Sequence, residues 1–302
     1  MQTSSAEVPL SIHQLSHHFG AKPALNEVTL QLDKQRITAL LGSNGAGKTT
    51  LINCALGLLR PSKGRVEILG QQAGTHAAKC LTGVMLQDAD LPDLLTAREH
   101  ISLFSAYYPD PIPIGPLVDQ CNLTKFADTK YKHLSAGQKR RVQFALAILG
   151  RPKLVFLDEP TTGLDSDARN TLWNTICELK NSGTSIILTT HYLEEADTLA
   201  DRIVVIDNGE IIAKGTNNEI RNAVNGSMIR CNTNLGQQAV QQLASVRATK
   251  VVGRYLEILS SNGTNTLRAL LRNDPRVSDI TVGKPSLEDA FQEITRHQED
   301  LS

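Results

Sequence analysis

Apolar residues occur in two spacings along the first two thirds of the chain. Short runs such as 37–41, 154–157 and 185–188 are mostly apolar and end at polar or glycine positions, which is typical of strands buried in a sheet. Residues 51–59 and 166–180 instead place apolar side chains at helical spacing, which predicts helices. Strands that alternate with helices indicate an α/β domain.

A helical spacing also runs from Leu91 to Leu149, where it is interrupted by the prolines of residues 109–116. Proline removes an amide donor and blocks helix continuation, so this cluster predicts a connection between helices. We therefore predict a helical subdomain at about 91–149, inserted into an α/β domain that spans residues 1–222.

After about residue 222 the pattern starts again, with a strand, a helix, two strands, a helix, a strand and a final helix. This order predicts a small α+β domain over residues 223–302, built on a split βαβ sheet. The chain length likewise suggests about two domains.

Charge and cysteine content narrow the possible partners and compartment. The 31 basic and 31 acidic residues balance, so the chain has no overall attraction to nucleic acid or acidic lipid, and we expect no nucleic-acid partner. Its five cysteines are scattered without a C-x-x-C pair, which favours a reducing, cytoplasmic compartment. No stretch approaches the roughly eighteen consecutive apolar residues of a membrane span, and the first residues lack a signal-peptide pattern.

The segment GSNGAGKTT, residues 42–50, lies between a predicted strand and a predicted helix and matches the phosphate-loop pattern G-x-x-x-x-G-K-T. Its glycines allow backbone amides to curl around phosphate oxygens, and the helix adds its positive N-terminal end. Lys48 would reach the β and γ phosphates, and the Thr49 hydroxyl would bind Mg²⁺. The residues predicted to contact the nucleotide here are Gly42, Ser43, Asn44, Gly45, Ala46, Gly47, Lys48, Thr49 and Thr50.

An acidic pair follows the apolar run 154–157. Asp158 would lie at the C-terminal end of this buried strand, where ligands bind in α/β sheets, and would hold Mg²⁺ directly or through water. Glu159, one residue further on, is the better candidate for polarising the attacking water. An exposed acidic pair without function is the alternative for such a strand end, and the phosphate loop favours the metal site.

The sequence LSAGQ, residues 134–138, precedes a helical pattern and places Ser135 at the N-cap position. Free amides and the helix dipole would then point outward and form a second phosphate-binding end. A helix cap without a ligand is the alternative.

These residues resemble the LSGGQ signature of the ATP-binding cassette (ABC) ATPases, with Ala136 in place of the first glycine. Gln87 in VMLQDADL is similar to the Q-loop glutamine, and Asp165 in TTGLDSDAR to the D-loop aspartate. His191 in ILTTHYLEEAD is similar to the switch histidine, and Phe19 in LSHHFG to the aromatic that stacks on adenine. The resemblance runs from about residue 10 to residue 220.

The resemblance implies a P-loop NTPase cassette, with a RecA-like core and a helical subdomain, that binds ATP and Mg²⁺. In that family two cassettes pair head to tail, so each ATP lies between the phosphate loop of one subunit and the signature helix of the other. The implied catalytic residues are Glu159, His191, Lys48 and Gln87. The implied Mg²⁺ ligands are Thr49, Gln87 and Asp158. Further implied nucleotide contacts are Phe19, Ser135, Gly137, Gln138 and Asp165.

Three features indicate the branch of the family. Only the stretch from Lys48 to Ser135 separates phosphate loop and signature, without the long coiled coil of the DNA-repair members, and the chain has one cassette where ribosome-acting members have two. Residues 285–295, PSLEDAFQEIT, resemble the closing motif of ATPases that serve type-2 exporters. Packing of Leu287, Phe291 and Ile294 onto the tail sheet is the alternative role of these side chains.

We therefore expect the ATP-hydrolysing subunit of an ABC exporter, a homodimer when ATP is bound, peripheral on the inner face of the cell membrane. Its partner would be a separate integral membrane permease. The loop from Asp88 to Leu95 mixes apolar and acidic residues with a proline, which suits docking of a short amphipathic permease helix; an ordinary mobile loop is the alternative. The alternative function is a soluble ABC ATPase acting on DNA or ribosomes.

Overall fold

The computed structural model describes residues 8–87, 89–223 and 226–299, with side chains described up to residue 296. The chain divides into two compact units, one that ends at Lys214 and one that begins at Gly215. Within the described part of the chain, no helix is long and apolar enough to cross a membrane.

The first unit contains two sheets and seven α-helices in its described residues. The strands are β1 (Leu10–Phe19), β2 (Lys22–Gln31), β3 (Ile37–Leu41), β4 (Lys63–Ile68), β5 (Gln71–Gln72), β6 (Thr82–Met85), β7 (Leu154–Asp158), β8 (Ser185–Thr189), β9 (Arg202–Asp207) and β10 (Glu210–Gly215). The helices are α1 (Lys48–Ala55), α2 (His76–Cys80), α3 (Ala97–Ser105), α4 (Ile114–Gln120), α5 (Ala136–Ile148), α6 (Ser166–Asn181) and α7 (Leu193–Leu199).

A six-stranded sheet in the order β10-β9-β3-β8-β7-β6 forms the centre of this unit. Its inner strands β3, β7 and β8 are buried at every position and pair in parallel, Leu40 with Thr189 and Leu157 with Leu188. Continuous apolar runs are expected for parallel strands that are covered on both faces. Because the carboxyl ends of parallel strands meet at one edge, the segments after β3, β7 and β8 lie together.

A second, antiparallel sheet has the order β2-β1-β4-β5. It shares a hydrophobic core with α1 and the central sheet, in which Leu15, Leu25, Ile52 and Phe156 are almost wholly buried. Helix α1, which follows the phosphate loop, is therefore held between two sheets.

Helices α3, α4 and α5 form the helical part of the unit, at the position that the sequence predicts. Helix α4 begins at Ile114, inside the proline cluster for which the sequence predicts only a connection. Pro116 lies in the first turn of this helix, where the missing N–H leaves no intrahelical hydrogen bond unmade. Proline spacing thus marks a helix start here as well as a connection.

The second unit has a four-stranded sheet in the order β12-β13-β11-β14, and its elements alternate as the sequence predicts. Its elements are α8 (Asn217–Ala223), β11 (Ser227–Asn232), α9 (Gln237–Gln241), β12 (Val246–Val252), β13 (Tyr255–Ser260), α10 (Gly263–Asn273), β14 (Ser278–Gly283) and α11 (Leu287–Glu299). The units divide at residues 214 and 215 rather than at 222, because α8 packs against α11.

Gly83 in β6 lies against the C-terminal end of helix α5. A Cβ atom at this glycine would lie 2.0 Å from the Ala147 carbonyl oxygen and 3.0 Å from Cγ of Pro152. Gly83→Ala should therefore force α5 away from β6 and lower the free energy of unfolding by about 1–3 kcal/mol. Chemical denaturation with an unchanged slope would measure the loss.

Gly115 in α4 provides the matched control, because a Cβ atom there would meet no other atom within 4 Å. Gly115→Ala should be neutral or stabilising by up to about 1 kcal/mol, since alanine favours a helix more than glycine does. Equal effects of the two substitutions would show that the contact between α5 and β6 can relax.

Candidate functional site

The phosphate loop connects β3 to α1 and is held from outside by backbone contacts. Gly47, the N-cap of α1, has φ 109°, and a Cβ atom there would lie 2.7 Å from the Ala24 carbonyl oxygen. The Ala46 carbonyl accepts a hydrogen bond of 2.9 Å from the Gly209 amide. Glycine at position 47 is therefore required both by the left-handed backbone and by the neighbouring chain.

Lys48 folds back over this loop. Its Nζ donates hydrogen bonds to the carbonyl oxygens of Gly42 (2.8 Å) and Ser43 (2.9 Å). Burial lowers the pKa of Lys48, and the negative charges of Glu159 and Asp158 oppose that shift. A partly desolvated ammonium group attracts an anion, and the two carboxylates beside it attract a cation.

Asp158 is the last residue of β7 and is buried. The Thr189 hydroxyl, at the end of neighbouring β8, donates a hydrogen bond to its Oδ1. Burial raises the pKa of Asp158, and the charge of Glu159 raises it further, while the Thr189 hydrogen bond and Lys48 act in the opposite direction. The carboxylate therefore lacks sufficient positive charge around it, which is the electrostatic condition that a bound cation would relieve.

Glu159 has φ 48°, in the left-handed region that a residue with a long side chain seldom adopts. Its amide donates to Oγ1 of Thr189 at 3.1 Å, which helps to hold this conformation. Asp158 is buried, whereas Glu159 has intermediate exposure. Backbone strain such as this left-handed φ is found disproportionately at functional sites.

Three polar side chains meet at Oε2 of Glu159. Nε2 of Gln87 donates to it at 3.2 Å, the Thr162 hydroxyl donates at 3.1 Å, and Nδ1 of His191 lies 3.3 Å away. These side chains come from the segments after β6, β7 and β8. The structure thus brings Gln87, Glu159 and His191 together.

The other residues of the phosphate loop line the same end of the sheet. Thr49 is exposed in the first turn of α1, and Thr50 follows it at intermediate exposure. Ser43, Asn44 and Gly45 are exposed at the tip of the loop. The Thr49 hydroxyl is therefore accessible to a ligand.

The signature segment forms a helix cap. The Ser135 hydroxyl accepts from the Gln138 amide at 3.3 Å, and Oε1 of Gln138 accepts from the Ser135 amide at 2.9 Å, which together form a capping box. Asp165 caps α6 in the same manner, with its Oδ1 accepting from the Ala168 amide at 2.8 Å. Among the described contacts, none joins these residues to Lys48, Asp158 or Glu159.

Gly137 lies beside the start of α6. A Cβ atom there would only reach ordinary contact with Leu164 (3.4 Å) and Ala168 (3.5 Å), so packing within the chain does not demand a glycine. Phe19, at the end of β1, is 56% exposed, and the ring of His17 meets it edge-on at 4.8 Å. The structure leaves the Phe19 ring accessible and does not link it to the carboxylates.

Sequence reasoning missed the hydroxyl groups that hold the carboxylates, Thr162 and Thr189. It also missed the contacts of α5 with the loop that carries Gln87: Nη1 of Arg140 donates to the Leu86 carbonyl at 3.2 Å, and Nε2 of Gln143 to the Ala89 carbonyl at 2.9 Å. Thr162 and Thr189 lie close to Glu159 and His191 in the sequence, which is the signal that could have indicated their role. A threonine near a strand end is too common, however, to be distinctive.

The raised pKa of Asp158 has a consequence for stability. The folded protein holds this proton more tightly than the unfolded chain, so the ionised carboxyl costs stability above its folded pKa and the cost disappears below the unfolded value. Because burial outweighs the attraction to Lys48, Asp158→Asn should stabilise the nucleotide-free protein at about pH 7.5, and the gain should vanish toward about pH 4. Urea denaturation at both pH values measures this.

Glu178→Gln, at an exposed position of α6, is the matched control and should change stability little at either pH. A lower stability of Asp158→Asn than of the wild type at the higher pH would mean that Lys48 and Thr189 compensate the buried charge in full.

Comparisons with known proteins identify relatives of this chain. A sequence profile of the ABC transporter family matches residues 25–162. The Daunorubicin resistance ATP-binding protein DrrA3 of Streptomyces coeruleorubidus is 32% identical over 96% of this chain and 96% of its own length. The Nod factor export ATP-binding protein I of Sinorhizobium fredii is 36% identical over 71% of this chain and 65% of its own length.

The fold is also similar to that of a solved protein described as the ATP binding subunit of an ABC transporter. The two share 31% identity and a TM-score of 0.65, over 71% of this chain and 92% of the other. Since DrrA3 matches along almost the whole length of both chains, the relationship covers the second unit as well as the cassette. The chain belongs to the ABC transporter family, as one of its ATP-binding, ATP-hydrolysing subunits.

Proposed function

We propose that this chain hydrolyses MgATP to drive export through a separate integral membrane permease. The observation that carries the proposal is the meeting of Gln87, Glu159 and His191 at one carboxylate oxygen, within electrostatic range of Lys48. Resistance and export are the functions named for the relatives, and they support export here over the alternative of an ATPase that acts on DNA or ribosomes.

The residues of the site fit a bound magnesium ion. Asp158 offers a buried carboxylate whose pKa is raised for lack of positive charge, and Thr49 offers an accessible hydroxyl. Gln87 can add an amide oxygen on rotation of its side chain, and Mg²⁺ prefers such oxygen ligands. When bound, the ion would neutralise charge on the phosphates of ATP.

The chain's own residues account for the remaining steps. Lys48 would exchange its two loop carbonyls for β- and γ-phosphate oxygens, since a phosphate is the stronger acceptor. Glu159, held by Gln87 and Thr162, would orient a water for attack and accept its proton. His191 would move from the Glu159 carboxylate to the γ-phosphate.

The signature segment supports a homodimer. Ser135 and Gly137 have no described contact with the phosphate loop of their own chain, and packing within the chain does not demand a glycine at 137. A phosphate brought to the first amides of α5 by a second copy would demand it, because only glycine lets the backbone approach closely. Ser135, Gly137, Gln138 and Asp165 would then complete the site of the partner, with adenine stacked on Phe19.

The loop after Gln87 supports a membrane partner. Asp88 lies outside the described residues, while Pro92, Asp93 and Leu94 are exposed, with Leu94 at 66%. Exposed apolar side chains beside acidic ones fit a short amphipathic helix. Because Arg140 and Gln143 attach this loop to the signature helix, a permease bound here could respond to nucleotide.

Replacing the catalytic carboxylate tests the proposal directly. Glu159→Gln should keep MgATP binding, because Lys48, Thr49 and Asp158 are unchanged, and should lower kcat by about 100-fold or more. The variant should also accumulate as an ATP-bound dimer. Steady-state hydrolysis, equilibrium binding of ATP and size-exclusion chromatography measure the three outcomes.

Glu178→Gln is the control, since it makes the same change at an exposed position away from the site, and it should hydrolyse ATP as the wild type does. Adding Ser135→Arg to Glu159→Gln should abolish the dimer while each monomer still binds ATP. Turnover of Glu159→Gln near the wild-type rate would remove Glu159 from its proposed role.

Docking of the permease gives a separate prediction. Leu91→Asp together with Leu94→Asp should leave ATP binding unchanged and abolish co-purification with a co-expressed permease, because charge replaces the apolar contact. Leu58→Asp is the matched control, as Leu58 is 61% exposed, close to the 66% of Leu94. Retention of the permease by the Leu91/Leu94 variant would place the docking surface elsewhere.

A further inference from the structure

A buried glutamate lies behind the catalytic carboxylate, and the steps proposed above do not use it. Glu195 in α7 is wholly buried, with an exposed fraction of 0%. Its Oε1 accepts hydrogen bonds from the Thr161 hydroxyl at 2.9 Å and from Nε1 of Trp173 at 3.0 Å. Its Oε2 is also buried and has no hydrogen-bond partner among the described residues.

The three members of this cluster belong to the segments that carry the functional residues. Thr161 lies two positions after Glu159, and Glu195 lies four positions after His191. Trp173 belongs to α6, the helix that Asp165 caps. One carboxylate oxygen of Glu195, in the segment after β8, thus joins the turn after β7 to the middle of α6.

A hydrogen bond from Thr162 connects the cluster to the catalytic carboxylate. Thr161 is followed by Thr162, whose hydroxyl donates to Oε2 of Glu159 at 3.1 Å. Glu159 itself has a left-handed φ of 48°, a conformation that persists only where its surroundings determine it. A shift of Thr161 would therefore be transmitted to the position of the Glu159 carboxylate.

The arrangement is poorly suited to stabilising the fold alone. A buried carboxylate with one oxygen unpaired costs folding free energy, which an apolar side chain at this site would avoid. The indole N–H of Trp173 can only donate, and the Thr161 hydroxyl donates here, so an acceptor between them fixes the distance between their two segments. Glu195 therefore serves to fix the distance between the segments of Thr161 and Trp173.

We propose that Glu195 is a positioning residue for ATP hydrolysis, which sets the spacing between Glu159 and His191 through Thr161 and Trp173. The proposal rests on the proposed roles of Glu159 and His191. It assigns Glu195 no contact with ATP, so the effect of a substitution should fall on kcat and not on nucleotide binding.

Glu195→Gln tests this with little change of shape. The amide keeps one oxygen but loses the charge and places an N–H₂ group where the described residues offer no acceptor, so the cluster should rearrange. We expect kcat to fall by about 10- to 100-fold, because small misplacements of catalytic groups lower kcat by such factors. The KM for ATP should change by less than about twofold. Glu194→Gln, next to it but 72% exposed at its side chain, should change either constant by less than about twofold.

A double-mutant cycle separates positioning from a merely structural role. Thr162→Val removes the hydroxyl through which Glu195 would act on Glu159, so the two substitutions combined should lower kcat by little more than the stronger one alone. Full multiplication of the two effects would overturn the proposal. So would a Glu195→Gln protein that melts at a lower temperature but keeps its kcat per folded molecule.

Two further comparisons test the proposal if Glu195→Gln does not fold and separate it from the proposed function. If Glu195→Gln does not fold, Thr161→Val can replace it, because this variant retains the carboxylate and removes one hydrogen-bond donor. It should show a smaller loss of kcat at constant KM. An unchanged kcat would overturn the proposal. If Glu159→Gln loses hydrolysis while Glu195→Gln hydrolyses ATP as the wild type does, only the positioning role of Glu195 is refuted. Normal hydrolysis in Glu159→Gln would refute the proposed function itself.

Discussion

Compensation between one buried cation and two carboxylates governs the candidate site. Burial disfavours the charged forms of both Lys48 and Asp158, since it lowers the pKa of the first and raises that of the second. Each remains near an opposite charge because parallel strands β3, β7 and β8 end at the same edge of the central sheet. The strand pairing therefore sets the electrostatics, and the loops add the groups that respond to a ligand.

The same edge connects the site to distant parts of the unit. Helix α5 starts at the signature segment and reaches the loop of Gln87 through Arg140 and Gln143. Gln87 in turn contacts Glu159. A change at the start of α5 could thus be transmitted to the catalytic carboxylate of the same chain. In the proposed dimer this would couple the two nucleotide sites, since α5 of each copy contacts the ATP of the other.

Much of this could be predicted from the sequence, because the decisive groups are charged or lie in spaced motifs. Strand, glycine loop and helix around Lys48 follow from local pattern, and Asp158 follows from its place after a buried strand. The left-handed turn at Glu159 could not be foreseen, as it depends on the amide contact with Thr189 across two strands. Glu195 was equally hidden, because a glutamate in a helix normally lies in solvent and only tertiary packing buries it.

The predicted helix and domain boundaries differ from the observed ones for similar reasons. The sequence predicts a connection at Pro116, but the structure places this proline in the first turn of α4. A proline is tolerated in the first turn of a helix and breaks the helix further along. The end of the first unit depends on the packing of α8 with α11, two segments more than sixty residues apart, which no local pattern encodes. Local rules therefore describe the elements of this chain better than their assembly.

In the proposed function, Lys48 and Asp158 together bind the phosphates and the metal of ATP. The most direct measurement is the melting temperature of the whole protein with saturating ATP, in the presence of Mg²⁺ and in the presence of EDTA. Ligand at about 100 times Kd stabilises by about 2.7 kcal/mol, which raises the melting temperature by roughly 5–10 °C for a unit of this size. We expect that rise in melting temperature with Mg²⁺, a smaller rise with EDTA, and none in Lys48→Ala. Equal melting temperatures of the wild type with and without MgATP would contradict this expectation.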